Sequence, residues 1–171
     1  MDIFSSGEKI GLDEVLKNKE WRVAQLKELT VKFPNTTLVS VKLNIPGEIK
    51  STKGIVRLFE AGWAALSSKA RFSKAFRSNI AGPEGFLAFD ASSYLIKEQL
   101  ISFEENFSLG RLFDLDVYEN MKQISRADLQ LAARKCFICS CPAKDCARAQ
   151  RHTNSEIRAF LNQKYRDYFE E

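Results

Sequence analysis

Two features of the chain combine residue types and spacings that could do chemistry. One is a pair of carboxylates two residues apart, Asp114 and Asp116. The other is a group of three cysteines and a histidine closer to the end. The aspartates stand in residues 109–118, LGRLFDLDVY. Read as one strand, this run puts Arg111, Phe113, Leu115 and Val117 on one face. Leu112, Asp114, Asp116 and Tyr118 fall on the other, because successive strand side chains point to opposite sides. Two acids on one face can converge on a divalent cation and a phosphate oxygen, as metal-assisted phosphoryl and nucleotidyl transfer requires. The competing reading is a pair of solvated acids on an exposed strand.

Cys136, Cys139, Cys146 and His152 follow the spacing C-x2-C-x6-C-x5-H, and His152 is the sole histidine of the chain. A Cys-x-x-Cys pair with a third cysteine and a histidine can close a tetrahedral zinc site. Four protein ligands leave no open position for water, so such a Zn²⁺ would be structural. Free thiols beside a surface histidine are the alternative. A cysteine nucleophile fits less well, because the one histidine would have to activate it and no Cys-His catalytic motif is visible.

These residues need a scaffold. Residues 11–31 carry an imperfect apolar stripe (Leu12, Val15, Leu16, Val23, Leu26, Leu29) that predicts a helix, with Lys17, Lys19, Glu20 and Arg22 on a solvated side. Residues 36–45 alternate as a strand, with Val39, Val41 and Leu43 opposite Ser40, Lys42 and Asn44. Ser51 or Thr52 caps a helix running to about Ser68, with Ile55, Leu58, Phe59, Gly62 and Leu66 buried. Strands are predicted over 72–80 and 86–90, separated by a Gly82-Pro83-Glu84-Gly85 turn. Ser92 or Ser93 caps a helix to about Asn106, and the aspartate strand follows. Asn154 or Ser155 caps a last helix to about Tyr168.

The middle of the chain thus reads strand, helix, strand, strand, helix, strand, the ferredoxin-like split βαβ order. That order predicts an α+β fold, an antiparallel sheet with helices on one face and polar residues collecting on the open one. The first and last strands of the unit are expected to be apart, so that Lys42 and the aspartates meet only across a ligand. One domain over 1–171 is expected, its core at about 36–118 and its Cys/His tail and final helix at about 134–171.

Composition narrows the function. A hydrophobic fraction of 44% is globular rather than disordered. No apolar run is long enough to span a bilayer, and the N-terminus lacks the pattern of a secretory signal, so the chain reads as cytoplasmic with reduced thiols. The formal net charge of +4 favours anionic partners but is too small to argue for nucleic acid. A nucleic-acid-binding sheet would also show exposed aromatics and a basic patch, whereas this polar face carries two acids. A zinc-dependent protein-binding module remains an alternative, since it would use the Cys/His tail alone.

Several stretches taken together point to one family. They are Leu38-Val39-Ser40 running into Ile45-Pro46-Gly47, then Ile49-Lys50, then Arg57-Leu58-Phe59 with Gly62, and Gly82-Pro83-Glu84. They continue with the run from Leu109 to Val117, Ile124-Ser125-Arg126 with Asp128, and Arg134-Lys135-Cys136-Phe137-Ile138-Cys139 leading to Cys146-Ala147-Arg148 and His152. In this order and spacing the chain resembles the apo-citrate lyase phosphoribosyl-dephospho-CoA transferases, also called holo-citrate-lyase acyl carrier protein synthases. The resemblance implies a nucleotidyltransferase that moves the phosphoribosyl-dephospho-CoA group of triphosphoribosyl-dephospho-CoA to a serine of the citrate lyase acyl carrier protein, releasing diphosphate. A sister carrier is the alternative acceptor. It further implies that Asp114 and Asp116 hold Mg²⁺ against the phosphates. Lys42, Lys50, Arg57, Arg111 and Arg126 become candidate phosphate partners, each with a solvated charge as its bland reading. Arg111, on the face away from the acids, could equally fix its own loop.

Overall fold

Period-two alternation builds the sheet at the centre of the molecule. The computed structural model describes residues 2–170, so Met1 and Glu171, the ends of the expected 1–171 span, lie outside the described residues. The strands are β1 (Thr37–Leu43), β2 (Phe72–Phe76), β3 (Glu84–Phe89), β4 (Phe113–Glu119) and β5 (Lys122–Ile124). They lie in the order β2-β3-β1-β4-β5, and each neighbouring pair is antiparallel. With helices α2 (Lys53–Ser67) after β1 and α3 (Ser93–Asn106) after β3, the first four strands form the split βαβ arrangement of the expected α+β fold.

One expectation about that arrangement is overturned. β1 and β4 are neighbours, with Ser40 opposite Asp116 and Lys42 opposite Asp114. Each crossover leaves room for one strand between those it joins, and β1 fills the gap between β3 and β4. Lys42 therefore reaches the aspartates directly.

The inner face is dry. Val39, Val41, Leu87, Phe113, Leu115 and Val117 are buried there beneath α2 and α3. The Thr52 hydroxyl accepts from the Ile55 amide (3.1 Å) and caps α2; Ser92 caps α3 through the Leu95 amide (3.3 Å). α2 buries its predicted stripe together with Trp63, which packs against the backbone of Gly85, where a β-carbon would strike the indole.

The outer face is not left open, as one-sided helix packing would require. α1 (Leu12–Lys32) crosses it, and Leu26 and Leu29 pack on Leu38, Phe86 and Ala88 among the rings of Trp21, Phe33, Phe72 and Phe76. Only this second half of the predicted stripe is buried; Leu12, Leu16 and Val23 are exposed. The reason lies in the strands beneath. The β2-β3-β1 side presents apolar residues that α1 can cover, whereas the β1-β4 side presents Ser40, Lys42, Asp114 and Asp116.

Element boundaries moved for local reasons. β4 begins at Phe113, and Gly110–Leu112 is a short 3-10 turn. Gly110 lies against the backbone of Phe103 and Glu104, where no side chain fits. β2 stops at Phe76, and the following loop is held by the Asn79 side chain accepting from the Ala81 amide (2.9 Å). β3 begins at Glu84, inside the predicted turn, because Glu84 pairs in register with both Phe76 and Lys42. β5 was not expected. It returns from β4 through Asn120 and Met121, both at positive φ (47° and 67°), as a tight hairpin of the twist-matching kind demands.

The C-terminal segment adds α4 (Ala143–Arg148), which was not predicted, and α5 (Asn154–Phe169), capped by Thr153 and Glu156 rather than by Asn154 or Ser155. Leu161 and Tyr165 of α5 enter the main core. The Asn162 side chain accepts from the Ile3 amide (2.9 Å) and donates to Asp2 (3.0 Å). Thr52 donates to the Ile3 carbonyl (2.6 Å), and Ile3 and Phe4 are buried. No helix among the described residues is long and apolar enough to cross a membrane.

Candidate functional site

The polar half of the outer sheet face gathers its side chains by register. Asp114 and Asp116 sit two residues apart on β4, and Lys42 lies opposite them on β1. Its Nζ reaches Asp114 Oδ2 at 2.8 Å and Asp116 Oδ2 at 2.6 Å. Burial works against the charge on Lys42, but the two carboxylates outweigh it and hold the ammonium above its ordinary range. Lys42 is therefore a fixed cation and not a base. Asp116 also accepts from Gln123 Nε2 on β5 (2.7 Å). Asp114 is the more exposed of the two, with lone pairs facing solvent. Between the acids and Phe86 lies the buried Ser40 hydroxyl, which has no partner among the described residues.

A second charged pair borders this face. Glu84, wholly buried at the start of β3, accepts from Arg22 of α1 through two bonds of 2.6 and 2.7 Å. Asn18 donates to the same carboxylate and in turn accepts from Asn79 (2.8 Å). Burial opposes the charge of Arg22, and Glu84 more than restores it. Arg22, Glu84, Asn18 and Gln123 were not among the predicted site residues. Asn18 and Arg22 are four apart on one helix, a spacing that puts them on one side; nothing local marks that side as facing the sheet.

The other predicted basic residues are placed elsewhere. Arg57 donates to the Tyr165 hydroxyl (3.0 Å) and stacks over Phe169 (4.2 Å), fastening α5 to α2. Arg126 pairs with Glu104 (2.7 Å) and Glu105 (3.3 Å) on α3. Arg111 does not stand on a strand face, since its backbone is in the 3-10 turn. It donates to the carbonyls of Lys135 and Cys136, so it fixes the distant cysteine segment and not its own loop, the alternative to a phosphate contact. Lys50 donates to the Ile45 carbonyl, and burial, then the nearby charge of Arg158, lowers its pKa. Of the five, Lys42 alone joins the aspartates.

The cysteine segment converges as its spacing predicted. The ligand atoms of Cys136, Cys139, Cys146 and His152 all lie within 4.8 Å of one another, while Cys141 accepts from Arg151 (3.1 Å) outside the cluster. Without a cation, the neighbouring His152 side chain first, and then the Cys141 backbone, lower the Cys139 thiol to about 6. Burial and the neighbouring sulfurs push Cys146 up to about 12. Arg134 donates to the carbonyls of Arg111 (2.5 Å) and Phe113 (2.6 Å), so the segment is tied to the start of β4. A pocket of about 580 Å³ opens there, lined by Asn44, Gly47, Arg134, Cys136 and His152 among others.

The chain is matched from residue 10 to 168 by the family model described as apo-citrate lyase phosphoribosyl-dephospho-CoA transferase, CitX. That span contains both clusters. It is 31% identical over 176 residues to the "Probable apo-citrate lyase phosphoribosyl-dephospho-CoA transferase" of Streptococcus pyogenes serotype M18, covering 98% of this chain and 92% of that protein. A protein of the same name from Vibrio cholerae serotype O1 (strain M66-2) is 32% identical over 169 residues, 93% of each chain. "Protein CitXG" of Leuconostoc mesenteroides subsp. cremoris is 37% identical over 95% of this chain, which spans only 36% of that longer protein. The chain belongs to the apo-citrate lyase phosphoribosyl-dephospho-CoA transferase family.

Proposed function

We propose that this protein transfers the phosphoribosyl-dephospho-CoA group from triphosphoribosyl-dephospho-CoA to a serine of the citrate lyase acyl carrier protein. The observation that carries the reading is Lys42 set between Asp114 and Asp116 on the half of the outer sheet face that α1 does not cover, in a chain of this family. The serine oxygen attacks the α-phosphorus of the donor and forms the phosphodiester. The bond to the β-phosphate breaks, and diphosphate leaves with its electron pair. Asp114, the more exposed acid, receives the serine proton. Lys42 meets the phosphate charge with an ammonium whose position two carboxylates already determine. The Arg22–Glu84 pair holds α1 against the sheet beside the site.

Two carboxylate oxygens that converge on one ammonium make a hard-oxygen donor set, which fits Mg²⁺. Asp114 and Asp116 would hold the ion, and when bound it supplies charge compensation at the phosphates. A cytoplasmic setting accords with the four free thiols.

Purified protein incubated with apo carrier and donor should add the prosthetic-group mass to the carrier, read by intact mass spectrometry, only when enzyme and donor are both present. An unmodified carrier, with a working control enzyme in parallel, would rule the reading out. A malonate decarboxylase carrier in a parallel tube tests the sister acceptor.

A further inference from the structure

We infer that Cys136, Cys139, Cys146 and His152 hold one structural Zn²⁺ that forms a wall of the pocket at the end of the sheet. This goes beyond the transfer reaction and does not depend on it.

The argument starts from distance. A tetrahedral zinc with sulfur ligands at about 2.3 Å requires its ligand atoms to be about 3.7 Å apart. Cys139 Sγ and Cys146 Sγ are 4.0 Å apart, and all four ligand atoms lie within 4.8 Å of one another. A disulfide needs about 2.05 Å, so the sulfurs are spaced for a shared ion rather than for each other.

The backbone around them is built to hold that spacing. Lys135 and Pro142 form an antiparallel bridge. The Cys136 amide donates to the Cys141 carbonyl (2.8 Å), and the Ala143 amide to Arg134 (2.8 Å). These bonds close the loop that presents Cys136 and Cys139. Cys146 comes from α4, and His152 from the residue before the Thr153 cap of α5. Three segments of different structure are thus brought to one point.

A second observation points to a ligand. His152 Nε2 is buried and has no hydrogen-bond partner. A buried, unpaired ring nitrogen costs free energy that a metal bond would recover. Three thiols and an imidazole are a soft set that suits Zn²⁺ over Mg²⁺ or Ca²⁺. On binding, the thiols release their protons to solvent and the sulfurs coordinate as thiolates. All four positions are taken by protein, so the ion activates no water. Its effect is geometric, because Cys136, Cys146 and His152 line the pocket, and Arg111 and Arg134 join this segment to β4.

The test uses the whole chain, purified without chelator. Elemental analysis should find about one zinc per chain. Replacement by Co²⁺ should give the thiolate charge-transfer and intense visible bands of a tetrahedral sulfur site. Cys139→Ser and His152→Ala should each lose the metal, while Cys141→Ser should keep it. Metal-free protein whose thiols all react in the native state would overturn the proposal. So would an intact mass short by two hydrogens, the sign of a Cys139–Cys146 disulfide, or iron in place of zinc. The zinc count and cobalt spectrum of the unaltered chain decide the matter even if a variant fails to fold.

Discussion

On the sheet's outer face, acids and cations come from elements far apart in sequence and neutralise one another: Lys42 sits between Asp114 and Asp116, and Arg22 of α1 grips Glu84. In the C-terminal segment, four ligands come from within 17 consecutive positions, 136 to 152. They face each other with no cation of the chain's own among them. The charges of the first cluster are balanced within the protein, and a ligand must part them. The second leaves His152 Nε2 unpaired until something binds. A site satisfied by its own side chains has a folded shape independent of metal; a site that is not satisfied stabilises the fold through the metal it takes.

Four substitutions bear on that contrast, beginning with the largest effect. Arg22→Met should destabilise the fold by about 3–5 kcal/mol, because it strands the buried Glu84 charge. Urea melts measure it, and an unchanged midpoint would mean that the outer face does not rest on internal neutralisation. Next, Asp114→Asn and Asp116→Asn should each cut the transfer rate by roughly two or more orders of magnitude while folding survives. Both side chains point away from the Phe113, Leu115 and Val117 core face. The check is rate against Mg²⁺ concentration, with circular dichroism alongside and Asp128→Asn as the near-normal control. Near-normal rates in both variants would return the pair to ordinary strand acids. The smallest effect belongs to Lys42→Met. Without the competing ammonium, the carboxylate pair should bind Mn²⁺ about tenfold more tightly in calorimetry, on the scale of Coulomb energies near the surface. Weaker binding would show that Lys42 supports cation binding rather than competing with it.

The readable part of the fold was the local part. Alternation through Phe113, Asp114, Leu115 and Asp116 put both acids on one side, and the cysteine spacing found its cluster, because each signal lies within a short run. What failed was set by distant partners. Leu109 to Leu112 alternates like a strand, yet the chain turns there because Gly110 lies against α3. The Gly82-Pro83 signal hid the strand residue Glu84, whose buried carboxylate depends on α1. Arg57 looks like a phosphate ligand until Tyr165 and Phe169, more than a hundred positions away, claim it. Lys42 meets Asp114 only because β1 lies between β3 and β4, a fact of sheet order that no window of sequence contains.

The clasp between Asp2, Ile3 and Asn162 has a consequence in time. A ribosome adds about 5–20 residues each second, so Asn162 emerges on the order of ten seconds or more after Ile3. Through that interval Ile3 and Phe4, which end up buried, have only part of their seat, since the helix that closes over them has not been made. Residues made well before α5 are thus secured only after it. A chain that lacks α5 leaves Ile3 and Phe4 uncovered, and exposed apolar side chains of that kind are what chaperones and proteases act on.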